Sequence, residues 1–358
     1  MLQPLENPFA AQQALLRARL NLLLTAVHPA LYADVVRAFQ EEHKLLSQPL
    51  AGTISPRTTR PAGIWSLLTL LVAQHVSPAI DPVYVSSVAV SVECFCTALD
   101  FLDDVEDEDQ TPLMQELGAA RLLNVTAVLL TLAELSLLSL RELGVDPAHI
   151  LNLLKTLQVS ALGITAGQHR DLLAESRSAL DFTREECIDI AAVKAGAIPR
   201  LACRLGAQCA GADAVVCEQF AEFGQLLGTA AQLDNDAHDL YDLLQDVIPS
   251  IVPKDAGAIS RSAKSDLVRG KKTLPIVLAV AEVAKTRDTT GVHPEEALQN
   301  IAELSDAEKS EYLRALKKGI LATWGICILY RERARDLLRE FESLGPVSPE
   351  LRIVTGLE

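Results

Sequence analysis

Residues 83–109 read VYVSSVAVSVECFCTALDFLDDVEDED and join a long apolar stretch to a run of carboxylates. The first part has the length and periodicity of a buried helix. The last ten residues, from Asp100 to Asp109, include seven acidic side chains. Carboxylates at a helix C-terminus oppose the helix dipole and repel one another. We therefore expect a positively charged group or ligand near this helix end.

A second acidic segment, QLDNDAHD at residues 232–239, also follows an apolar helical stretch. Its oxygen donors share about one helical turn: Asn235, Asp236 and Asp239. In the first segment, Asp103 and Asp107 are one turn apart and lie on the same face of the helix. Either segment alone could be a solvated helix face. Together they predict two groups that face each other across a bundle and bind Mg²⁺ with a diphosphate substrate, because Mg²⁺ prefers oxygen ligands and phosphates.

The composition favours a helical protein. The chain has 358 residues, of which 49% are hydrophobic and 4% aromatic, with 17 Pro and 18 Gly. Helical periodicity covers nearly the whole chain, strand signals are almost absent, and no linker or repeat divides it. A capping box at Thr183–Glu186 and a break at Pro199 mark helix ends. We expect one all-α domain over residues 1–358, with roughly ten to twelve helices.

Charge and hydropathy exclude several classes of protein. The net charge of −15 disfavours a nucleic-acid partner, because phosphate contacts need a basic surface. No uninterrupted apolar run approaches the roughly 18 residues of a membrane-spanning helix. The N-terminus lacks a secretory signal pattern, and the seven Cys are scattered and odd in number. We expect a cytoplasmic protein with reduced thiols and no transmembrane segment.

Cations that could face an anionic substrate occur in two places. The segment RGKKTLP at 269–275 puts Lys271 and Lys272 at a predicted helix start, where cations oppose the dipole and an anion is expected. Lys194 lies in the apolar stretch 190–198, where a lone Lys must reach solvent or pair with an anion. The alternative for each is an ordinary solvated side chain.

Five motifs in this order resemble those of the trans-isoprenyl diphosphate synthase (polyprenyl synthetase) superfamily, over Arg57 to Leu338. They are Glu93 with DDVED at 103–107, GQHRDL at 167–172, TREE at 183–186 with KAG at 194–196, QLDNDAHD at 232–239, and DLVRGKKTLP at 266–275. The resemblance implies the isoprenoid-synthase helical bundle around a deep central pocket. We also expect a homodimer.

The resemblance further implies the role of each site residue. About three Mg²⁺ ions would bridge the two Asp motifs to the diphosphate of an allylic prenyl substrate. The expected metal ligands are Asp103, Asp104, Asp107, Asn235, Asp236 and Asp239. The expected catalytic residues are Lys194, Lys271 and Gln232. The expected substrate-binding residues are Arg57, Arg60, Ala98, Leu99, Gln168, Asp171 and Lys264. Small residues at 98 and 99 imply a deep pocket and a long allylic substrate.

Departures from the family pattern concern the second substrate. Chain-elongating members bind isopentenyl diphosphate through a Gly-Lys-Arg-x-Arg-Pro segment, a His in the first-motif helix and an Arg pair after that motif. Here the first segment is PRTTRP at 56–61, Cys96 stands at the His position, and no Arg follows the motif before Arg121. The resemblance therefore implies an intact allylic site and a weakened acceptor site.

With these departures, the chain is similar to ComQ-type prenyltransferases, which modify a Trp on a pheromone peptide. It is also similar to terpene cyclases on the same fold. We expect an Mg-dependent prenyltransferase of isoprenoid biosynthesis that joins an allylic prenyl group to a peptide or small-molecule acceptor other than isopentenyl diphosphate. The alternatives are an ordinary chain-elongating synthase of the geranylgeranyl type, or a terpene cyclase. A non-catalytic regulatory subunit is the least favoured, because Asp103, Asp104 and Asp107 are all present.

Overall fold

The computed structural model describes residues 7–47, 61–247, 270–285, 293–301 and 304–357, and these ranges contain helices but no strand. The helices are α1 (Ala10–Leu24), α2 (Pro29–Phe39), α3 (Ile64–Val76), α4 (Pro82–Glu106), α5 (Pro112–Leu138), α6 (Pro147–Glu175), α7 (Arg184–Lys194), α8 (Ala197–Cys209), α9 (Ala214–Val247), α10 (Leu274–Ala284), α11 (Pro294–Gln299), α12 (Asp306–Phe341) and α13 (Pro349–Thr355). Short 3₁₀ segments cover Ser139–Leu143 and Ala179–Asp181. The predicted all-α class is confirmed.

The chain divides into two compact units. Unit 1 contains Met1–Ser160, Ile198–Gly224 and Leu337–Glu358, and unit 2 contains Ala161–Ala197 and Gln225–Asp336. Each unit has its own buried side chains, and each is described by itself below. The expectation of a single domain over residues 1–358 stays a prediction.

Helix α4 forms the core of unit 1 and packs against α1, α3 and α5. Its side chains from Val85 to Ala98 are all buried, and most are small. The helix start is fixed, because Asp81 Oδ1 accepts a hydrogen bond of 2.8 Å from the Val83 amide and Pro82 occupies the first turn. The acidic end of α4 is therefore anchored by a tightly packed helix.

Helix α5 contains a kink that the periodicity does not reveal. Gly118 has φ 72° and ψ 158° inside the helix, a backbone conformation that glycine adopts without steric cost. The predicted helix from Ala119 to Leu143 matches the part after this kink. Its last residues form the 3₁₀ segment Ser139–Leu143 instead of continuing the α-helix.

Unit 2 is built around the apolar helix α10. Its buried side chains pack with those of α9 and α12, including Leu233, Ala237, Tyr312 and Leu316. A Cβ atom at Gly319 of α12 would lie 2.3 Å from the Pro275 carbonyl oxygen of α10. Only glycine allows this close approach of the two helices, so position 319 fixes how α12 covers α10.

The region around Pro199 folds as the sequence predicts. Thr183 and Glu186 form the predicted capping box: the Glu186 amide donates a hydrogen bond of 3.0 Å to Thr183 Oγ1, and the Thr183 amide donates one of 3.3 Å to Glu186 Oε2. The predicted helix over 183–208 is divided, because α7 ends at Lys194 and α8 begins at Ala197. Pro199 lies in the first turn of α8, where backbone N–H groups have no helical partner to lose.

The expectation of no membrane-spanning segment is not supported. Three helical stretches of the described chain, Pro82–Glu106, Pro112–Leu143 and Pro147–Glu175, are long and apolar enough to cross a membrane. The sequence argument considered uninterrupted apolar runs alone, whereas single Ser or Thr residues lower the mean hydropathy of a helix very little. Of the most apolar window, 83% is buried within the protein for the first stretch, 44% for the second and 28% for the third.

Candidate active site

The first acidic motif forms the last turn of α4 in unit 1. Asp107 is the residue that ends the helix, and its amide donates a hydrogen bond of 2.8 Å to the Asp103 carbonyl oxygen. The side chains of Asp103, Asp104 and Asp107 are all half-buried. The helical spacing therefore places Asp103 and Asp107 side by side, as predicted, at the border between the core and the surface.

The turn after this motif is polar and carries no cation among its described residues. The Asp109 amide donates to the Asp104 carbonyl oxygen at 2.8 Å, and Thr111 Oγ1 lies 3.4 Å from Asp104 Oδ2. The first Arg beyond it, Arg121, is bound elsewhere: its guanidinium contacts both carboxylate oxygens of Asp34 on α2, at 2.7 and 2.8 Å. Arg121 therefore has a carboxylate partner of its own on α2.

The Asp104 carboxyl group of the motif has a raised pKa. Burial and the charges of Asp100 and Asp103 raise its pKa to about 6, although Lys44 and Thr111 act in the opposite direction. A carboxyl group with this pKa is partly protonated in weakly acidic solution. Any cation that binds next to Asp104 would favour its charged form.

This pKa predicts a pH dependence of stability for the metal-free chain. The native state holds the Asp104 proton up to about pH 6, whereas the unfolded state releases it near the ordinary value of 3.8. The unfolded state thus binds fewer protons between these values, so the free energy of unfolding falls as pH rises through this window. Asp104→Asn should remove this part of the fall, as measured by urea unfolding with chelator present. Identical pH dependence in both proteins would contradict the raised pKa.

A cluster of charged side chains precedes the DDVED segment on α4, and it includes Lys44, which belongs to none of the motifs. Lys44, in the turn after α2, forms an ion pair with Asp100, and Glu93 accepts a hydrogen bond of 2.9 Å from Ser66 Oγ. Burial raises the pKa of Glu93, partly offset by Lys44 and Ser66. Burial alone would lower the pKa of Lys44, but the charges of Asp100 and Glu93 outweigh it and raise that pKa. Cys96 shares this environment, and burial raises its thiol pKa well above the usual range.

The predicted pocket floor also lies on α4. Ala98 is fully buried and Leu99 is half-buried, and the aromatic neighbours Phe95 and Phe101 are each 3% exposed. Ala98 therefore lies in the packed interior of unit 1. Leu99 lies at its edge, one turn before the carboxylates of the first motif.

The second acidic motif lies on α9 in unit 2. Gln232 Nε2 donates a hydrogen bond of 2.7 Å to Asp236 Oδ1, and the Asp236 side chain is buried. Asn235 is exposed and Asp239 is half-buried. These four positions follow one another at helical spacing on one face. Gln232 is thus placed to orient the Asp236 carboxylate.

Lys194 is paired with an anion, which was one of the two alternatives for it. Its Nζ lies 2.8 Å from Asp171 Oδ2, and the two side chains are 21% and 24% exposed. A Cβ atom at Gly167 would lie 2.7 Å from the Val193 carbonyl oxygen, so only glycine lets α6 approach α7 this closely. This approach brings Asp171, a predicted substrate-binding residue, to Lys194. Gln168, on the same helix, is half-buried.

The two lysines before α10 differ in their surroundings. Lys271 is half-buried. Lys272 has a side chain only 3% exposed, which pairs with Glu295 at 2.6 Å and donates to the Glu175 carbonyl oxygen at 3.3 Å. Lys272 therefore holds three segments of unit 2 together, whereas Lys271 is the more accessible cation. Arg57, Arg60 and Lys264 lie outside the described residues.

The donor sets fit Mg²⁺. Each motif offers carboxylate or amide oxygens, although within the described ranges no group of three His, Cys, Asp or Glu side chains is placed to hold a metal ion. Mg²⁺ prefers oxygen ligands and keeps several waters and substrate phosphates among them. The structure brings together Asp103 with Asp107, Gln232 with Asp236, and Lys194 with Asp171. The expectation that the two motifs face each other stays a prediction.

The chain is similar in sequence to known proteins. A family model described as polyprenyl synthetase matches residues 44–316. Geranylfarnesyl diphosphate synthase from Aeropyrum pernix is 27% identical over 215 residues, which are 59% of this chain and 60% of that protein. Geranylgeranyl diphosphate synthase from Mycobacterium tuberculosis is 31% identical over 127 residues, 36% of this chain and 32% of that protein. The chain thus spans less than two thirds of these curated relatives.

Solved structures share the fold. A decaprenyl diphosphate synthase from Rhodobacter capsulatus matches with a TM-score of 0.71 and 18% identity, covering 98% of this chain and 94% of that one. A heptaprenyl diphosphate synthase from Staphylococcus aureus matches with a TM-score of 0.68 and 15% identity, covering 98% and 99%. At these identities the likeness concerns the fold alone, and it confirms the predicted isoprenoid-synthase helical fold.

Proposed function

Because this chain belongs to the polyprenyl synthetase family, we propose that it is a chain-elongating prenyl diphosphate synthase. It would join an allylic prenyl diphosphate to isopentenyl diphosphate. The observation that carries the proposal is the pair of carboxylates, Asp103 and Asp107, at the end of a buried α4 inside the matched region. The names of the curated relatives, all prenyl diphosphate synthases, support the same activity.

This proposal takes up the alternative that the sequence left open. The sequence favoured an acceptor other than isopentenyl diphosphate, with a resemblance to ComQ-type enzymes, and the relatives give that reading no support. It is kept as a second candidate for one reason. Cys96, at the position of the family's His, is a buried and uncharged thiol, so it offers no charge to a second diphosphate.

The proposed metal is Mg²⁺, with three ions as the expected number. Asp103, Asp104 and Asp107 on α4 would bind Mg²⁺, and so would Asn235, Asp236 and Asp239 on α9. When bound, Mg²⁺ neutralises the charge that develops on a departing diphosphate. Lys194 and Lys271 would donate hydrogen bonds to the same oxygens. The apolar side chains of α4 would exclude water from the allylic chain.

The binding experiment for this function is calorimetric. Isopentenyl diphosphate is titrated into the chain together with Mg²⁺ and an unreactive allylic thiodiphosphate. Binding in the micromolar range supports chain elongation. Absence of binding, combined with diphosphate release from a reactive allylic substrate, would overturn it in favour of another acceptor or a cyclase.

Ala98→Phe is expected to shorten the preferred allylic substrate. Ala98 is fully buried one to two turns before the carboxylates, so a ring at this position takes up volume where the prenyl chain would extend. Product chain length is measured for both proteins with allylic substrates of two lengths. Because the ring also risks overpacking, thermal unfolding is recorded in parallel. A folded variant with an unchanged product would place the pocket floor elsewhere, at Phe95 or Phe101.

The proposal includes a homodimer. Apolar side chains of α5 and α6 are exposed in unit 1: Leu123, Leu135, Leu138, Leu151 and Val159. A second copy of the chain would cover these side chains, because exposed apolar surface is buried in interfaces between subunits. Sedimentation without detergent tests this, and a monomer that binds lipid vesicles would favour a membrane surface instead. The cytoplasmic location stays an expectation.

A further inference from the structure

The turn after α2 holds a cation in a fixed position next to α4. Arg17 Nε donates a hydrogen bond of 2.8 Å to the Leu45 carbonyl oxygen, and the Gly63 amide donates one of 2.9 Å to the His43 carbonyl oxygen. These bonds tie the turn to α1 and to the start of α3. The backbone of Lys44 is therefore fixed on both sides, and its ammonium group is directed to Asp100.

The two partners of this ion pair are unequally sheltered. The Lys44 side chain is 15% exposed, whereas that of Asp100 is 44% exposed. The Lys44 ammonium lies 5.7 Å from the centroid of the Phe101 ring. Electrostatic attraction is stronger in such partly apolar surroundings than in water. The cation is thus held in the protein while its counter-ion stays open to solvent, one helical turn before Asp103.

The chemistry of chain elongation requires a cation of this kind. The allylic diphosphate must leave, so its site is built to stabilise a departing anion. The diphosphate of the acceptor remains attached to carbon throughout the reaction. It is better bound by hydrogen bonds from charged side chains that do not promote cleavage of its C–O bond. Near the first motif in unit 1, the Cys96 thiol is buried and uncharged, whereas the Lys44 ammonium is charged and held against α4.

We propose that Lys44 binds the diphosphate of the acceptor and that Asp100 competes with this diphosphate for the Lys44 ammonium. The inference rests on the proposed function and names a residue that sets acceptor affinity within it. An ammonium group has three donors, and a diphosphate carries more negative charge than one carboxylate. The diphosphate therefore displaces Asp100 from Lys44. An acceptor with a single negative charge binds the Lys44 ammonium little better than Asp100 does, so it is excluded from this site.

Three variants test the inference, each with the Kd of isopentenyl diphosphate measured by calorimetry and the KM values of both substrates. Lys44→Met should raise the Kd and KM for isopentenyl diphosphate about 10- to 100-fold, the effect of one charged hydrogen bond. The KM for the allylic substrate should stay within about twofold of the original. Asp100→Asn should lower the Kd for isopentenyl diphosphate. Lys318→Met, which removes an exposed ion pair with Glu282, is the matched control and should change neither.

The double variant Lys44→Met/Asp100→Asn separates acceptor binding from a structural role. If Lys44 only neutralises Asp100, removing both charges restores the original Kd. If Lys44 binds the acceptor, the Kd of the double variant remains high. The double variant leaves no unpaired Asp100 charge, so it also decides the question if Lys44→Met alone fails to fold.

The outcomes distinguish failure of the role proposed for Lys44 from failure of the proposed function. Elongated product from the unaltered chain, with an unchanged Kd in Lys44→Met, overturns the role of Lys44 and leaves the proposed function standing. Unchanged or weaker binding in Asp100→Asn overturns the competition. Absence of isopentenyl diphosphate binding by the unaltered chain overturns both proposals.

Discussion

Asp103→Ala is expected to reduce the rate of diphosphate release from an allylic substrate by at least about 1,000-fold. A bound metal ion contributes several kcal/mol to the stabilisation of a departing phosphate group, and each ~1.4 kcal/mol corresponds to a factor of ten in rate. Asp103 and Asp107 lie side by side at the end of α4, so the loss of one carboxylate leaves the other with an incomplete set of donors. The measurement is the rate of diphosphate release at saturating Mg²⁺, with unfolding recorded separately.

Glu106→Ala is the matched control for this prediction. Glu106 is the last residue of α4 and is exposed. It carries the same charge within the same acidic run, so its removal tests whether the run acts through total charge. We expect less than about a threefold change, as for a surface charge in water. An equal loss of the rate of diphosphate release in the two variants would contradict a specific role for Asp103.

Lys194→Ala is expected to lower kcat/KM for the allylic substrate by about 10- to 100-fold, the cost of one hydrogen bond to a charged group. Lys194 Nζ lies 2.8 Å from Asp171 Oδ2, and an ammonium group carries three donors in all. Lys194→Arg keeps the charge and should recover part of the activity. The measurement is the steady-state rate with Mg²⁺ held at saturation.

Arg170→Ala serves as the control for Lys194. Arg170 pairs with Asp189 at 2.8 Å across the same two helices, α6 and α7, and both side chains are exposed. Loss of this pair changes the contact between the helices without removing the predicted phosphate ligand. If both variants lose activity to the same extent, Lys194 acts by holding α6 to α7 and not by binding substrate.

The local elements of this fold were predictable because their causes are local. The capping box at Thr183, the division of a helix near Pro199 and the acidic end of α4 each depend on residues within a few positions of one another. Hydrogen bonding and steric restriction within one turn decide them. The Asp103 and Asp107 pair follows from helical spacing alone.

The contacts that were missed join residues far apart in the chain. Lys44 and Asp100 are 56 positions apart, and Arg121 and Asp34 are 87 positions apart. No periodicity indicates which distant partner a surface cation will find. The kink at Gly118 was missed because glycine is compatible with both helical and left-handed backbone. Lys44, the residue proposed to bind the acceptor, belongs to none of the motifs, so the sequence did not indicate it.

Product analysis with isotopically labelled isopentenyl diphosphate tests chain elongation most directly. The purified chain is incubated with Mg²⁺ and an unlabelled allylic diphosphate, and the prenyl products are separated by length and examined for label. We expect labelled prenyl diphosphates longer than the allylic substrate, and none when Asp103→Ala replaces the unaltered chain. Consumption of the allylic diphosphate with no label in any prenyl product would contradict the account.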